Sequence, residues 1–373
     1  MTSSKVVSRF PTLPSTRDLL RIFGLRARKS LSQNFLLDPR IIRDFVAASG
    51  YVKPGTHVIE VGPGPGGITR EILRTDVKSL IVIEKDRRFI PTLSLLADAV
   101  DGQMKIIRGD ILTVNVSELF PTELRREWDD LPPPISIVGN LPFSVSTHLI
   151  IQWYNDMTKR RNAWAYGRVP LTLTFQKEVV DRMLAHPGDS HRSRLSVMSQ
   201  VYCHVTKRFN IKGGSFVPPP EVDATVACFL PRVNPLFPPE IPFEAVERFV
   251  RVLFQHKKSR VRNAVARLVP VALQDNIVKS IIIRSGVTGQ SKVLDLENEE
   301  ICKLLTAYME VAEDLPGLLE YDNRSPRVSR MAGFEMKEDA DRLFPLRRNA
   351  QDSESVTTAD LHQLRKQRGR VTT

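Results

Sequence analysis

A chain of 373 residues, 42% of them hydrophobic, is long enough for about two domains with proper cores. No apolar run approaches the roughly 20 residues that cross a bilayer, so no membrane span is expected. With 54 Lys and Arg against 42 Asp and Glu the formal charge is +12, which points to a polyanionic partner, nucleic acid before a membrane surface.

The first thirty residues carry Lys5, Arg9, Arg17, Arg21, Arg26, Arg28 and Lys29 against one acid, Asp18. Basic, serine-containing and acid-poor is the composition of a mitochondrial presequence, and equally of a retained arm that grips nucleic acid. Leu19, Leu20, Ile22 and Phe23 supply one face of a short helix there. Asp38 before Pro39 then reads as the cap of a helix carrying Ile41, Ile42, Phe45 and Val46.

His57-Val58-Ile59-Glu60-Val61 is an apolar strand that breaks into Gly62-Pro63-Gly64-Pro65-Gly66-Gly67. Gly62, Gly64 and Gly67 satisfy a dinucleotide fingerprint, and Glu84 closes the next strand about twenty residues on. Glycine lets backbone approach a nucleoside closely, and a carboxylate at the second strand's end can hold both ribose hydroxyls. A nicotinamide cofactor and S-adenosylmethionine both remain open at this point. Glu60 beside the turn favours the second, because an anion there repels a pyrophosphate and tolerates a sulfonium or ammonium.

A third strand over Lys105–Ile107 leads to Gly109-Asp110, where a carboxylate either caps a helix or accepts an adenine amine. A charged, proline-rich surface loop over 123–134 precedes the run Ile135-Ser136-Ile137, which stops at Val138-Gly139-Asn140-Leu141-Pro142-Phe143. Such a turn either caps a strand in the ordinary way or grips a heterocycle, the Phe143 ring stacking and the Asn140 oxygen accepting an exocyclic amine. A helix over 148–154 follows, then a fifth strand from Leu171 running into a helix through Met183. Tyr202–Ile211 and Asp223–Leu230 pair antiparallel around Gly213-Gly214-Ser215-Phe216-Val217-Pro218, where Phe216 either packs or lines the entrance to a flipped base.

Alternating strands and helices predict an α/β, doubly wound, Rossmann-like sheet whose ligands sit off the carboxyl ends of its strands. Glu60, Glu84, Asp110 and Asn140 close successive strands, so one site is expected from all four. Five prolines between Pro231 and Pro242 mark a linker. Residues 243–311 then show helical periodicity without strands, and Lys257, Lys258 and Arg260 lie in an acid-free stretch suited to RNA phosphates. Beyond Tyr321 the sequence is polar and poorly periodic. Cys203, Cys228 and Cys302 and seven scattered histidines show no paired metal-ligand spacing; the thiols read as reduced, in a reducing compartment.

In combination, Gln33-Asn34-Phe35-Leu36, Glu60-Val61-Gly62-Pro63-Gly64, Glu84-Lys85, Gly109-Asp110, Asn140-Leu141-Pro142-Phe143, Phe175-Gln176-Lys177-Glu178 and Phe216-Val217-Pro218 resemble, in order, the rRNA adenine N6,N6-dimethyltransferases. The resemblance spans about Leu13 to Leu319. It implies a class I methyltransferase that takes S-adenosylmethionine, contacted by Asn34, Leu36, Gly62, Glu84, Lys85, Asp110 and Asn140. It further implies a target amine held by Asn140, Leu141 and Pro142 with Phe143 stacking, and a substrate of two adjacent adenosines in small-subunit rRNA. Through the family's mitochondrial members, the expected location is the mitochondrial matrix. The expected partners are the assembling mitochondrial small ribosomal subunit and mitochondrial transcription machinery.

The expected organisation is a presequence or basic arm over 1–28, a methyltransferase domain over 29–231, a linker over 232–242, a small helical RNA-binding domain over 243–320 and a tail over 321–373. Two other classes fit parts of the pattern: a non-enzymatic RNA or transcription factor that keeps the fold, and a nicotinamide oxidoreductase. Calorimetry with S-adenosylmethionine separates the first from the enzyme. Against the second, no proton-shuttling Tyr-Lys or His-Asp arrangement accompanies the glycine turn.

Overall fold

The structure, a computed structural model, describes residues 13–315 and 317–321. The first twelve residues of the expected arm and the expected tail beyond Tyr321 lie outside the described residues. Among the described residues no helix is long and apolar enough to cross a membrane.

The first element, α1 (Thr16–Ile22), opens with a capping box in which Ser15 Oγ accepts the Asp18 N–H and Asp18 reaches back to the Ser15 N–H. Leu19 is only 1% exposed, and Leu13, Leu20, Leu25 and Ala27 pack against the main apolar cluster. Residues from Leu13 to Ala27 thus pack as part of the fold. After β1 (Phe35–Leu36), α2 (Pro39–Ser49) starts where Asp38 accepts the Arg40 N–H at 2.8 Å and ends at Gly50 in the left-handed conformation.

The sheet is built from β2 (His57–Val61), β3 (Ser79–Glu84), β4 (Met104–Arg108), β5 (Ile135–Gly139), β6 (Leu171–Gln176), β7 (Cys203–Ile211) and β9 (Ala224–Pro231), while β8 (Phe216–Val217) pairs antiparallel with β1. Its strand order is β4-β3-β2-β5-β6-β9-β7; β2 to β6 run parallel, and β9 alone runs against them, antiparallel to both β6 and β7. Parallel strands covered on both faces must be apolar throughout, which is why Val58–Val61, Leu80–Ile83 and Ile135–Val138 are almost unbroken hydrophobic runs. The covering helices are α3 (Gly67–Arg74), α4 (Ile90–Asp98), α5 (Phe143–Thr158) and α6 (Lys177–Leu184). Gly66 caps α3 at φ +84°, a conformation strained for other residues, and a Cβ there would crowd the Leu96 side chain at 2.6 Å. From β2 the chain winds outward to β3 and β4 and then returns to the other side with β5. This reversal opens a crevice at the carboxyl ends of β2 and β5.

The described residues divide into two compact units: one reaches to Leu184 and resumes over Tyr202–Asn234, the other comprises Ala185–Val201 and the described residues from Pro235. The methyltransferase stretch expected over 29–231 is therefore interrupted. Within the second unit α7 (Arg194–Tyr202) contributes the fully buried Val197, Met198 and Val201, Arg194 pairs with Glu247, and Gln200 accepts the Asn298 amide at 3.0 Å. Apolar burial, which no charge pattern announces, assigns this segment. The expected linker is also packed in part: Phe237 is buried and Leu236 N–H donates to Val201. The rest of that unit is α8 (Phe243–Gln255), α9 (Val261–Val265), α10 (Gln274–Ser285) and α11 (Asn298–Asp314). Helix α8 buries the predicted face of Phe249, Val250, Leu253 and Phe254.

Candidate active site

The crevice holds a cavity of about 310 Å³, lined by the strand ends and by residues 30–36 lying across it. Gln33 latches that strap: its amide donates to Asp86 Oδ2 at 3.0 Å, and its oxygen accepts the Arg28 N–H at 3.0 Å and Arg88 Nη2 at 3.3 Å. Burial pushes the Asp86 carboxyl up, but hydrogen bonds from Arg88 and Gln33 outweigh it and hold the group at about 2. Phe35, edge-on to Phe89 at 5.3 Å, closes the wall beside Gly64, where a Cβ would meet the Phe35 ring at 3.4 Å.

The floor is the β2-to-α3 turn. Glu84, the last residue of β3, accepts the Gly64 N–H at 2.9 Å and the Asp86 N–H at 2.7 Å through different oxygens. Burial raises its pKa, and these two donors hold it back. Each oxygen keeps a second lone pair, so the carboxylate can still accept two hydroxyls. Glu60, one place from the end of β2, is 1% exposed, lines the cavity, and has no hydrogen-bond partner for Oε2. Burial drives this carboxyl up to about 8, with Thr69 opposing and Glu84 adding to the shift. A cation placed in the cavity would favour the ionised form of this buried carboxyl.

Lys85 and Asp110 also line the cavity, but they meet each other: Nζ lies 2.7 Å from Oδ2, and the Lys85 side chain is 66% exposed. Asp110 Oδ1 accepts the Leu112 N–H at 3.1 Å, and Lys85 with this N–H outweighs burial to keep the carboxyl ionised.

Asn140 follows β5 directly. Gly139 must precede it, because a Cβ there would come within 2.9 Å of the Val61 carbonyl on the adjacent strand. The Asn140 amide is held at both ends: Nδ2 donates to the Asn34 carbonyl at 3.1 Å, and Oδ1 accepts the Thr174 hydroxyl at 2.7 Å. Leu141, Pro142, Ser144 and Val145 continue the lining, and the Pro142 carbonyl is taken up by the Val145 and Ser146 N–H groups of α5.

The structure brings Asn34, Leu36, Gly62, Glu84, Lys85, Asp110, Asn140, Leu141 and Pro142 to one cavity. Phe143 does not line it; the ring is half-buried against the apolar cluster that includes Phe35. Phe216 departs from the entrance role: it is 1% exposed inside the same cluster, because β8 pairs with β1 and turns Phe216 inward, leaving Val217 at the surface. In the other unit Lys258 and Arg260 are exposed, whereas Lys257 is committed internally, donating to the Ser190 and Arg192 carbonyls at 2.7 and 2.9 Å. Sequence reasoning passed over Gln33, Asp86 and Thr174 as site residues. Thr174 left no distinguishing trace, since the same strand carries a second hydroxyl at Thr172.

A glycine turn after the first sheet strand, an acid closing the next, and an antiparallel pair on the far edge define a Rossmann-like methyltransferase. Residues 24–310 match the family described as ribosomal RNA adenine dimethylase. The chain is 42% identical to a mitochondrial dimethyladenosine transferase 1 of Xenopus tropicalis over 87% of its length and 93% of that protein. It is 41% identical to the Homo sapiens protein of the same name, over 89% and 95% respectively. Among solved structures it is similar in fold to a dimethyladenosine transferase from Plasmodium falciparum (TM-score 0.55, 23% identity, 73% of this chain and 96% of that one). It is likewise similar to the 23S rRNA methyltransferase ErmE (TM-score 0.50, 22% identity, 74% and 100%). The chain belongs to the ribosomal RNA adenine dimethylase family and is an rRNA adenine dimethyltransferase.

Proposed function

We propose that this enzyme transfers methyl groups from S-adenosylmethionine to N6 of two adjacent adenosines in the terminal stem-loop of mitochondrial small-subunit rRNA, twice each. The observation that carries the reading is the Asn140 amide, fixed at both ends on the rim of a cavity whose floor holds the orphaned Glu60 oxygen. The mitochondrial setting is supported by the names of the relatives and by the acid-poor residues 1–30. The ribosomal substrate follows the family's description. On this reading the location is the matrix, and the partner is the assembling small subunit.

The residues present fit the donor. Glu84 would take the ribose hydroxyls, Gly62 and Gly64 would let backbone close on the nucleoside, and Glu60 would face its positive charge. Asp110, Asn34 and Leu36 would border the adenine and the methionine chain, with Lys85 at the rim. S-adenosylmethionine supplies an electrophilic methyl carbon.

Asn140 Oδ1 has one lone pair left and, together with the Leu141 carbonyl, would accept the two hydrogens of the target amine. These bonds draw the nitrogen toward tetrahedral geometry and localise a lone pair otherwise delocalised into the purine. No strong base is required, since the proton becomes acidic once the nitrogen is alkylated and leaves to water. Most of the acceleration would come from holding nitrogen and methyl carbon in line. The half-buried Phe143 would stack on the base by a rotation of its side chain. Lys258 and Arg260 would meet RNA phosphates.

The test is Asn140→Ala with a small-subunit rRNA hairpin. Methylation is expected to fall by at least about a hundredfold while RNA affinity stays near wild type. Full activity in this variant would overturn the reading.

A further inference from the structure

We propose that Thr174 is a positioning residue for methyl transfer: its buried hydroxyl sets where the Asn140 oxygen sits. The inference rests on the reading that Asn140 receives the target amine, and it goes beyond it by naming the residue that makes the amide usable.

An asparagine amide is a poor clamp when free. Rotation about its last bond exchanges an acceptor for a donor, and only the oxygen can accept an N–H from an amine. Two contacts remove that freedom. The Asn34 carbonyl accepts from Nδ2 at 3.1 Å and decides which end is which, since the reversed amide would set oxygen against oxygen. The Thr174 hydroxyl donates to Oδ1 at 2.7 Å from the neighbouring strand β6 and fixes the oxygen's place. Thr174 is fully buried, lies opposite Val226 of β9 and is not in the cavity lining, so it acts only through Asn140. Its one hydrogen occupies one lone pair of Oδ1, and the other remains for the substrate. The restraint matters most in the second transfer, when the monomethylated amine has a single N–H left to be held.

The experiment compares Thr174→Val, which keeps the shape and removes the hydroxyl, with Thr174→Ser, which keeps the hydroxyl, and with Asn140→Ala. The substrate is the same rRNA hairpin. Thr174→Val is expected to lower kcat about tenfold, the size of one hydrogen bond, and to raise the ratio of monomethyl to dimethyl product. KM for RNA and S-adenosylmethionine affinity by calorimetry should stay within about twofold, and Thr174→Ser should restore kcat and the product ratio. Should Thr174→Val fail to fold, Thr174→Ala against Thr174→Ser carries the same comparison. Wild-type kcat and product ratio in Thr174→Val, with Asn140→Ala inactive, would overturn this inference and leave the proposed function standing. An equal loss in Thr174→Ser would also overturn it, by reducing Thr174 to packing. An active Asn140→Ala would instead remove the reading beneath it.

Discussion

The backbone N–H of Gly64 donates to Glu84 Oε2 at 2.9 Å, joining the glycine turn after β2 to the end of β3. One carboxylate therefore shapes the cavity floor and offers its remaining lone pairs to the ligand. Replacing it by alanine strips a charged acceptor from two backbone donors at once. Glu84→Ala is expected to weaken S-adenosylmethionine binding by about 10- to 100-fold, read by calorimetry. Affinity equal to wild type would mean that the turn holds its shape, and the ligand, without this residue.

Glu60 makes a pH-dependent contribution whose sign follows from burial. Its folded-state pKa of about 8 lies above the ordinary 4.5, so across that window the folded protein holds a proton that the unfolded chain has lost. Stability from this group is therefore full below about 4.5, declines as pH rises, and is gone above about 8. Half-buried His57 works the other way, its pKa lowered by desolvation and by Lys78, so the informative quantity is the difference between variants. Thermal melts of the ligand-free protein at pH 6 and pH 9 should show Glu60→Gln gaining on wild type at the higher pH. S-adenosylmethionine affinity should rise with pH up to about 8 in wild type and stay flat in Glu60→Gln, since a cationic ligand favours the ionised carboxylate.

Leu19 anchors α1 to the methyltransferase unit while the arginines around it face solvent. Leu19→Ala should cost about 3 kcal/mol, a fall in melting temperature of roughly 6–12 °C. An unchanged melt would mean that residues 13–28 are dispensable to the fold, and would reopen the whole basic arm as a removable segment.

Much of the sheet was legible because parallel buried strands are written as unbroken apolar runs and their exits as Gly-Pro and Gly-Asn-Leu-Pro punctuation. His57–Val61 falls where those signals placed it, and β5 begins at the expected Ile135 but runs through Gly139, two residues past the expected run. That Glu60, Glu84, Asp110 and Asn140 share one cavity followed from topology alone, since strand ends of a doubly wound sheet converge. What stayed hidden depends on partners distant in sequence. The alternation that would have shown Phe216 pointing inward is only two residues long. Residues 185–201 lie between two stretches of the first unit, yet their buried side chains serve the second. Thr174 looked like an ordinary strand residue because its significance lies in one hydrogen bond to another strand's exit. Lys257 looked like a phosphate ligand because charge counting is blind to carbonyls that already claim the ammonium.

The pairing of Phe35 with Val217 and of Leu36 with Phe216 has a bearing on biosynthesis. One wall of the cavity comes from the beginning of the chain and its buttress from residues some 180 positions later. A ribosome must deliver both, and the intervening helical insertion, before the chamber exists. Nascent chains released short of Val217 should consequently fail to retain the methyl donor, however well β2 to β5 have assembled.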